Sequence, residues 1–359
     1  MADTRVARLR LIRTPTIGPI TYRQLIVRFG SAETAIDALP DLAARGGGRA
    51  PKVIDTSVAE REIAAVEKLG ARYLFLDDAD YPLLLAELDN APAAMTIRGD
   101  IALASRTTVA MVGARNASAA ACRFARGLAV ELGREGVVVV SGLARGLDTA
   151  AHSGSLATGT IGVIASGIDI SFPPENRELQ EAVAQQGLLI AEQPPGMEPL
   201  ARNFPHRNRI IAGLAIGTVV VEAAPKSGSL ITARLANEAG RDVMAVPGSP
   251  LDPRAQGCNQ LIREGATLVQ SAADILEAIR PIDARMVRSP ASGFDAMPPA
   301  DPGAPERRTV TDLLGPVPVT IDELIRQSGL PPAMVATVLL ELELAGRLER
   351  HAGGRVSLT

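Results

Sequence analysis

An arginine-rich segment around one aromatic residue carries the densest potential chemistry in this sequence. Residues 202–209 read RNFPHRNR, in a chain of which only 3% is aromatic. Guanidinium groups bind phosphates in a planar, bidentate geometry, and an exposed ring stacks on nucleobases. The alternative is that Phe204 is an ordinary core residue. We take the following as candidate nucleic-acid contacts: Arg202, Phe204, Arg207, Asn208 and Arg209.

Further candidate anion ligands follow apolar runs of the sequence. Glycines and small polar residues at a helix start leave backbone N–H groups free to bind an anion. Arg115 either grips a phosphate or forms a surface salt bridge, and Arg177 faces either the same crevice or solvent. The candidates of this kind are Arg115, Ser141, Gly142, Arg145, Arg177, Lys226, Ser227, Gly228 and Ser229.

The sequence lacks the fingerprints of nucleotide cofactors and of metal sites. The segment Gly113-Ala114-Arg115-Asn116 does not have the G-x-G-x-x-G spacing, and no G-x-x-x-x-G-K-[ST] occurs. Cys122 and Cys258 are far apart, and the three histidines do not cluster with them. We therefore predict no cofactor, no metal and no disulfide.

Two enzymatic interpretations were weighed against DNA binding. Asp148 and His152 are four residues apart and suggest a hydrolytic triad with a serine, although Asp148 as a helix N-cap is simpler. Glu192 and Glu222 follow apolar runs and suggest a nucleotide-processing enzyme of the phosphoribohydrolase class. The P-G-G-x-G-T-x-x-E pattern of that class is missing. We predict that the protein is not an enzyme; a scaffold that contacts only protein partners is a third reading.

The elements that must position these residues follow an α/β rhythm. Near-continuous apolar runs are typical of strands buried on both faces of a parallel sheet, and helical stretches such as 118–133 and 229–240 supply the crossovers. The pattern predicts a Rossmann-like, doubly wound, mostly parallel sheet, which binds ligands at the carboxyl ends of its strands. The runs are residues 108–113, 137–142, 160–166, 187–192, 217–223, 242–248 and 266–270.

The rest of the chain divides around this body at residues 73–280. Residues 1–72 contain two helical patterns around Ile17-Gly18-Pro19, which resemble a helix-hairpin-helix or SAM-like domain that is either structural or phosphate-binding. Six prolines make residues 281–305 a predicted extended linker. Residues 306–359 are a predicted winged helix, with helices at 309–314, 321–328 and 332–345 and a wing at 348–358. Its third helix carries two glutamates and no basic residue, which favours a structural or protein-binding role over duplex reading.

Overall charge restricts the kind of nucleic-acid site. A net charge of -3 argues against bulk electrostatic coating of duplex DNA, so any site is a local basic patch. Only three of the 37 basic residues are lysine, a bias that we attribute mainly to a GC-rich genome. The N-terminus lacks a signal-peptide core and no run of about 18 apolar residues occurs, which predicts a cytoplasmic protein with no membrane partner.

Several of these segments together resemble one known family. VGARNAS (112–118), SGLARGLDTAAH (141–152), FPHRNRIIAGL (204–214), VEAAPKSGSLITA (221–233) and GRDVMAVPG (240–248) are similar to the successive motifs of the DNA-processing protein A (DprA/Smf) family. The resemblance implies a Rossmann-like domain that binds single-stranded DNA. It also implies protection of incoming DNA during natural transformation, loading of the RecA recombinase and homodimerisation through the same domain.

The resemblance also implies roles for particular residues. Arg115 would hold a DNA phosphate, Phe204 would stack on a base, and residues 227–229 would line the pocket. Phe172 stands where the family usually has a tyrosine, which removes a hydroxyl group but keeps the ring.

Overall fold

The structure is a computed structural model that describes residues 4–285, 301–351 and 353–359, with the backbone alone at 281–285. These residues form two compact units. The first holds the described residues up to Arg61 and from Asp301 onward, and the second runs from Glu62 to residue 285. Within these ranges, no helix combines the length and the hydropathy that a membrane crossing requires.

Three helices open the first unit: α1 (Arg5–Ile12), α2 (Pro19–Phe29) and α3 (Ala32–Arg45). Hydroxyl caps start α1 and α3, because Thr4 and Ser31 accept the backbone N–H groups of Ala7 and Thr34. Proline stands at the first position of α2, where its missing N–H costs nothing. The turn predicted at Ile17-Gly18-Pro19 separates α1 from α2.

The second unit alternates strands and helices over most of its length. Its elements are α4 (Thr56–Lys68), β1 (Arg72–Phe75), α5 (Leu83–Ala86), β2 (Ala94–Gly99), β3 (Thr108–Val112), α6 (Ala119–Arg134), β4 (Val138–Ser141), α7 (Leu147–Ser155), β5 (Thr160–Ile164), α8 (Arg177–Gln186), β6 (Leu188–Ala191), α9 (Asn203–Leu214), β7 (Gly217–Val220), α10 (Gly228–Glu238), β8 (Asp242–Ala245), α11 (Gln256–Arg263), β9 (Thr267–Leu268) and α12 (Ala272–Arg285). Helix α4 begins at the end of the first unit.

These strands form one nine-stranded sheet in the order β1-β2-β6-β5-β4-β3-β7-β8-β9. Strands β3 to β9 pair in parallel, whereas β1 and β2 add an antiparallel edge that the sequence patterns did not reveal. The chain winds from β3 through β4 and β5 in one direction and resumes on the other side of β3 with β7. The predicted doubly wound, mostly parallel sheet is confirmed, and its switch point lies between β3 and β7.

Apolar cores cover both faces of the sheet, as near-continuous apolar strands require. Alternate residues of β3 point to opposite faces: Ala110 and Val112 join one core, and Val109 and Met111 join the other. Strand β4 divides in the same way. The central strands of the sheet are therefore buried on both faces, and the loops at their ends are available for ligands.

The remaining elements form the predicted winged helix. They are α13 (Ala304–Asp312), β10 (Val319–Thr320), α14 (Ile321–Ser328), α15 (Pro332–Leu344), β11 (Leu348–His351) and β12 (Arg355–Leu358), with strand order β10-β12-β11. An apolar core that includes Val310, Leu324, Val338 and Val356 joins its helices to its strands.

The predicted linker at 281–305 is wrong at both ends. The backbone of residues 281–285 continues α12, and Ala304 already begins α13, five residues before the predicted first helix. Pro305 lies in the first turn of α13, where proline is compatible with a helix, so proline content overestimated the irregular segment. Residues 286–300 lie outside the described residues.

Candidate nucleic-acid interface

A cleft of about 350 Å³ opens at the switch point of the sheet. It lies at the carboxyl ends of β3, β4 and β7 and at the starts of α7, α9 and α10. We call it the switch-point cleft, and its lining includes Phe204 and the polar residues Arg115, Asp148, Arg207, Asn208, Ser227, Ser229 and Arg254. A smaller pocket adjoins it and shares Arg115, Phe204 and Arg207. Ligands bind at this position in other open α/β sheets, for the same topological reason.

A ring and two guanidinium groups form the centre of the cleft. The guanidinium carbon of Arg115 lies 4.9 Å from the centre of the Phe204 ring, and that of Arg207 lies 5.9 Å from it. Both distances suit a cation–π interaction. The Arg115 side chain is exposed and Phe204 is only half-buried. Phe204 is therefore not the ordinary core residue of the alternative reading.

Glycine fixes the loop that carries Arg115. Gly146 begins α7 with a φ of 75°, in the left-handed region, where side chains are disfavoured. A Cβ at Gly146 would also lie 2.5 Å from the carbonyl oxygen of Ala114 and 2.7 Å from that of Arg115. The turn after β4 thus packs directly on the backbone after β3 and holds Arg115 at the edge of the cleft.

Arg207 is a buried charge. It is 6% exposed, and its Nη1 donates to the carbonyl oxygen of Val163 at 2.8 Å. Burial lowers its pKa to about 10 although the Asp148 carboxylate opposes that shift, so the side chain remains a cation at neutral pH. Burial raises the pKa of Asp148, against the opposing charge of Arg207. This burial argues against direct phosphate contact by Arg207 and instead makes it a support for Phe204.

The neighbours of Arg207 on α9 make structural contacts. Asn208 donates from Nδ2 to the carbonyl oxygen of Gly228 at 3.4 Å and so ties α9 to the start of α10. Arg209 donates to the carbonyl oxygen of Asn90 at 2.6 Å and forms a salt bridge with Glu192. Arg209 is 6% exposed, so its position argues against DNA contact.

The other predicted residues fall into exposed and structural sets. Ser141 is fully buried and donates from Oγ to the carbonyl oxygen of Met111 at 2.7 Å, which is a structural role. Gly142 borders the adjoining pocket, as does the exposed Arg145, which lies 3.6 Å from Glu175. The exposed residues Arg177, Arg202 and Lys226 are not among those that line the two cavities.

The start of α10 presents backbone donors to the cleft. Ser227 is its N-cap residue, yet its hydroxyl makes no capping bond to the helix and instead lies 2.8 Å from the Ser229 hydroxyl. Together with Gly228, these residues line the cleft as predicted, and the first N–H groups of α10 have no side-chain cap. Such groups favour an anion, since the positive end of the helix dipole lies there.

Two residues of this region were not among the predicted site residues. Arg254, in the loop after β8, lines the cleft and pairs with Asp252 at 2.9 Å. The Phe172 ring is 43% exposed and meets the Phe204 ring edge-on, with centres 6.0 Å apart. Its proline-rich turn follows β5, so an aromatic residue after a strand was the available signal.

The carboxylates of the enzymatic readings are engaged in structural contacts. Glu222 accepts the backbone N–H of Ser118 at 3.0 Å and its hydroxyl at 2.8 Å, and so anchors the start of α6. Glu192 is held by Arg209. Asp148 is not the predicted N-cap, because Gly146 occupies that position and Asp148 accepts the N–H of Ala144 in the preceding loop at 3.2 Å.

His152 is buried and uncharged. Its Nδ1 lies 2.8 Å from the Thr160 hydroxyl, and it is fully buried. Burial, with the nearby charge of Arg207, lowers its pKa to about 3. Because it has no access to a ligand in the cleft, it does not suit the hydrolytic triad.

A doubly wound sheet with an arginine- and aromatic-lined cleft at its switch point, and without a dinucleotide glycine pattern, defines a Rossmann-like protein. The chain belongs to the DNA recombination-mediator protein A (DprA) family, whose model matches residues 72–280. A DprA-like N-terminal HHH domain matches residues 2–65, and a DprA winged helix domain matches residues 294–354. The resemblance seen in the sequence is confirmed, and membership places the chain among proteins of DNA processing and recombination.

Relatives and solved structures agree with this membership. Protein Smf of Synechocystis is 32% identical over 94% of this chain and 95% of its own length. DNA processing protein DprA of Streptococcus pneumoniae is 42% identical over 66% of this chain and 86% of its own. The S. pneumoniae DprA structure has a TM-score of 0.65 at 36% identity and covers 77% of this chain and 98% of that one. A Helicobacter pylori DprA structure, described for its single-stranded DNA binding mode, has a TM-score of 0.54 at 27% identity and covers 58% of this chain and 96% of that one.

The space beside Arg207 generates the first prediction. A Cβ at Gly142 would lie 1.7 Å from Arg207 Nη1 and 2.8 Å from Asp148 Oδ2. We expect Gly142→Ala to lower the free energy of unfolding by about 1–3 kcal/mol, because a buried cation must move. Gly228→Ala is the matched control, since its Cβ would meet nothing within 4 Å, and it should change stability by less than about 0.5 kcal/mol. Equal stability of the two variants in urea titrations would contradict the close contact between Gly142 and the Arg207 guanidinium.

The buried histidine generates a prediction on pH dependence. Between pH 6.5 and about 3, the unfolded chain binds a proton at His152 that the folded chain does not. Lowering the pH through this window should therefore destabilise the wild type relative to His152→Leu, by up to about 1.4 kcal/mol per pH unit. The difference between the two proteins isolates His152 from Asp148, whose raised pKa acts in the opposite direction. Parallel stability profiles between pH 6 and pH 4 would show that His152 titrates normally.

Proposed function

We propose that the switch-point cleft binds single-stranded DNA, with Arg115 on a phosphate and Phe204 stacked on a base. The observation that carries this proposal is the exposed Arg115 guanidinium 4.9 Å from the half-buried Phe204 ring at the mouth of the cleft. A base that stacks on the ring needs an unpaired strand, because bases in a duplex are already stacked on each other. The single-stranded DNA binding named for the H. pylori relative supports the same ligand class.

Backbone and side-chain donors extend the proposed path beyond the central ring. The uncapped start of α10 at residues 227–229 suits a second phosphate, and Arg254 adds a cation to the lining of the same cleft. Arg145 and the neighbouring exposed residues Arg177, Arg202 and Lys226 provide long-range attraction. In this scheme Arg207 and Asn208 position the site, and Ser141, Gly142 and Arg209 maintain the fold around it.

The proposed contacts do not read sequence. A ring face accepts any base, and guanidinium and N–H groups address phosphates that are the same at every nucleotide. Binding should therefore be sequence-tolerant, as a protein that handles DNA of any origin requires. We extend the proposal to protection of incoming DNA during natural transformation, loading of RecA on that DNA and homodimerisation through the Rossmann-like domain, all supported by membership of the family.

Affinity for single-stranded DNA tests the central proposal. We expect Phe204→Ala to cost about 1–3 kcal/mol of binding free energy, measured by fluorescence anisotropy on a labelled oligonucleotide. Arg115→Ala should weaken binding and flatten the slope of log affinity against log salt by about 0.7. Arg134→Ala is the matched control. This exposed arginine ends α6 and lies near the amino end of β4, whereas the cleft lies at the carboxyl ends of the strands. If all three variants bind like the wild type, the cleft is not the DNA site.

The wider role is tested with RecA itself. We expect the full chain to speed the assembly of RecA on single-stranded DNA, and Phe204→Ala to lose this effect in proportion to its lost DNA affinity. Sedimentation of the free protein over a range of concentrations should show a dimer. RecA assembly that is unaffected by the wild-type chain would remove the loading role and leave DNA binding intact.

A further inference from the structure

Helix α15 of the winged helix is buried on two faces. In helix-turn-helix proteins that read duplex DNA, the corresponding helix presents one face to the domain core and the other to the major groove. Here the inward residues Val335, Val338, Leu339 and Leu342 belong to the domain core. A second set of α15 residues outside that core is also no more than 6% exposed: Thr337, Leu340, Glu341 and Leu344.

The segment after α3 occupies the second face. A Cβ at Gly46 would lie 2.1 Å from the carbonyl oxygen of Glu341, and one at Gly48 would lie 2.4 Å from that of Ala345. Gly46 has a φ of -73°, which any residue adopts, so only the close approach of the two backbones requires glycine there. The N-terminal helices and α15 are therefore in direct backbone contact.

Polar contacts surround this glycine contact. Arg28 of α2 donates to the Thr337 hydroxyl at 3.3 Å, and Arg347 donates to the carbonyl oxygen of Gly46 at 3.1 Å. Asp301 accepts hydrogen bonds from Arg28 and, at 2.9 Å, from Arg45. Each of these pairs joins the N-terminal helices to residues of the C-terminal part of the chain.

A buried ion pair fixes the segment that carries Asp301. Glu341 is 1% exposed and accepts two hydrogen bonds from Arg307, at 2.7 and 2.8 Å. Arg307 also donates to the carbonyl oxygen of Pro302, next to Asp301. A series of contacts therefore runs from α15 through Arg307 and the backbone of residues 301–302 to Arg28 and Arg45.

We infer that α15 is a docking helix for the N-terminal helical domain of the same chain and does not read duplex DNA. The winged helix and the N-terminal domain then act as one module. The chemistry of α15 agrees, because residues 332–344 contain no lysine or arginine to bind a phosphate, and Glu341 and Glu343 are paired with Arg307 and Arg350. This inference concerns the first unit and does not rest on the proposed DNA cleft.

Hydrogen exchange of the full chain tests the docking. Gly46→Val should open the contact and raise deuterium uptake across α3 and α15 by about tenfold in rate, with uptake across β3 and β4 unchanged. Gly18→Val is the matched control in the same domain, because a Cβ there meets nothing within 4 Å. Uptake across α15 that is equal in the two variants would overturn the inference.

A charge reversal tests the docking contact independently, in case the Gly46→Val variant fails to fold. Asp301→Arg faces Arg28 and Arg45 and should also raise uptake across α15, whereas adding Arg28→Asp should restore much of the protection. Absence of any rescue would count against the docking contact. Protection of α15 should not depend on protein concentration; protection lost on dilution would identify a second copy as the occupant and overturn docking within one chain.

Duplex affinity separates a docking helix from a masked DNA reader. We expect Gly46→Val to bind duplex DNA no more than about twofold more tightly than the wild type, because residues 332–344 of α15 contain no lysine or arginine. A gain of about tenfold or more would show that docking hides a DNA-reading helix and would overturn the inference.

Discussion

A buried arginine beside an aromatic ring is the constraint around which the second unit builds its site. Taking the guanidinium of Arg207 out of water is costly, and the structure offsets that cost with the Val163 carbonyl and the charge of Asp148. These partners favour one position of the Arg207 side chain. The Phe204 ring lies between Arg207 and the exposed Arg115, and the three side chains form one surface in the absence of a ligand.

The buried charge also explains neighbours that would otherwise suggest catalysis. Asp148 lies in the interior as the counter-charge of Arg207, and its oxygen also holds the loop at Ala144. His152 stays uncharged, since burial and a nearby cation both disfavour imidazolium. Asp148, four residues before His152 on α7, thus supports the buried charge of Arg207 and does not form a catalytic pair. The groups left to contact a ligand in the cleft are exposed donors and one ring.

The sequence identified the architecture better than the orientation of side chains. Apolar runs are sufficient to find buried parallel strands, and the residues after those runs must meet at one edge of the sheet. The orientation of side chains at the start of α9 was harder to predict, because Arg202, Arg207 and Arg209 are the same residue type. Helical period contained the missing signal: Arg207 lies three and four residues before the buried Ile210 and Ile211, on the inward stripe.

Other features depended on distant contacts that no local pattern encodes. Arg254 reaches the cleft from a loop after β8, and its place is fixed by the order of strands. Strand β2 pairs antiparallel with β6, a segment far from it in sequence. The burial of Arg209 depends on Asn90 and Glu192, again from separate elements. Local propensity cannot specify such partners, which is why the burial of Arg209 was not predicted.

At two places in this chain a glycine acts through the space that it leaves, a role that sequence patterns tend to assign to flexibility or phosphate binding. Gly142 stands in a loop that looks like an anion nest, yet its missing side chain makes room for the Arg207 guanidinium. Gly46 and Gly48 resemble a flexible connection after α3, yet each lies against the backbone at the end of α15. In both units a glycine permits a close contact that a single methyl group would prevent. The burial of the Arg207 guanidinium and the burial of α15 therefore both depend on close packing at a glycine.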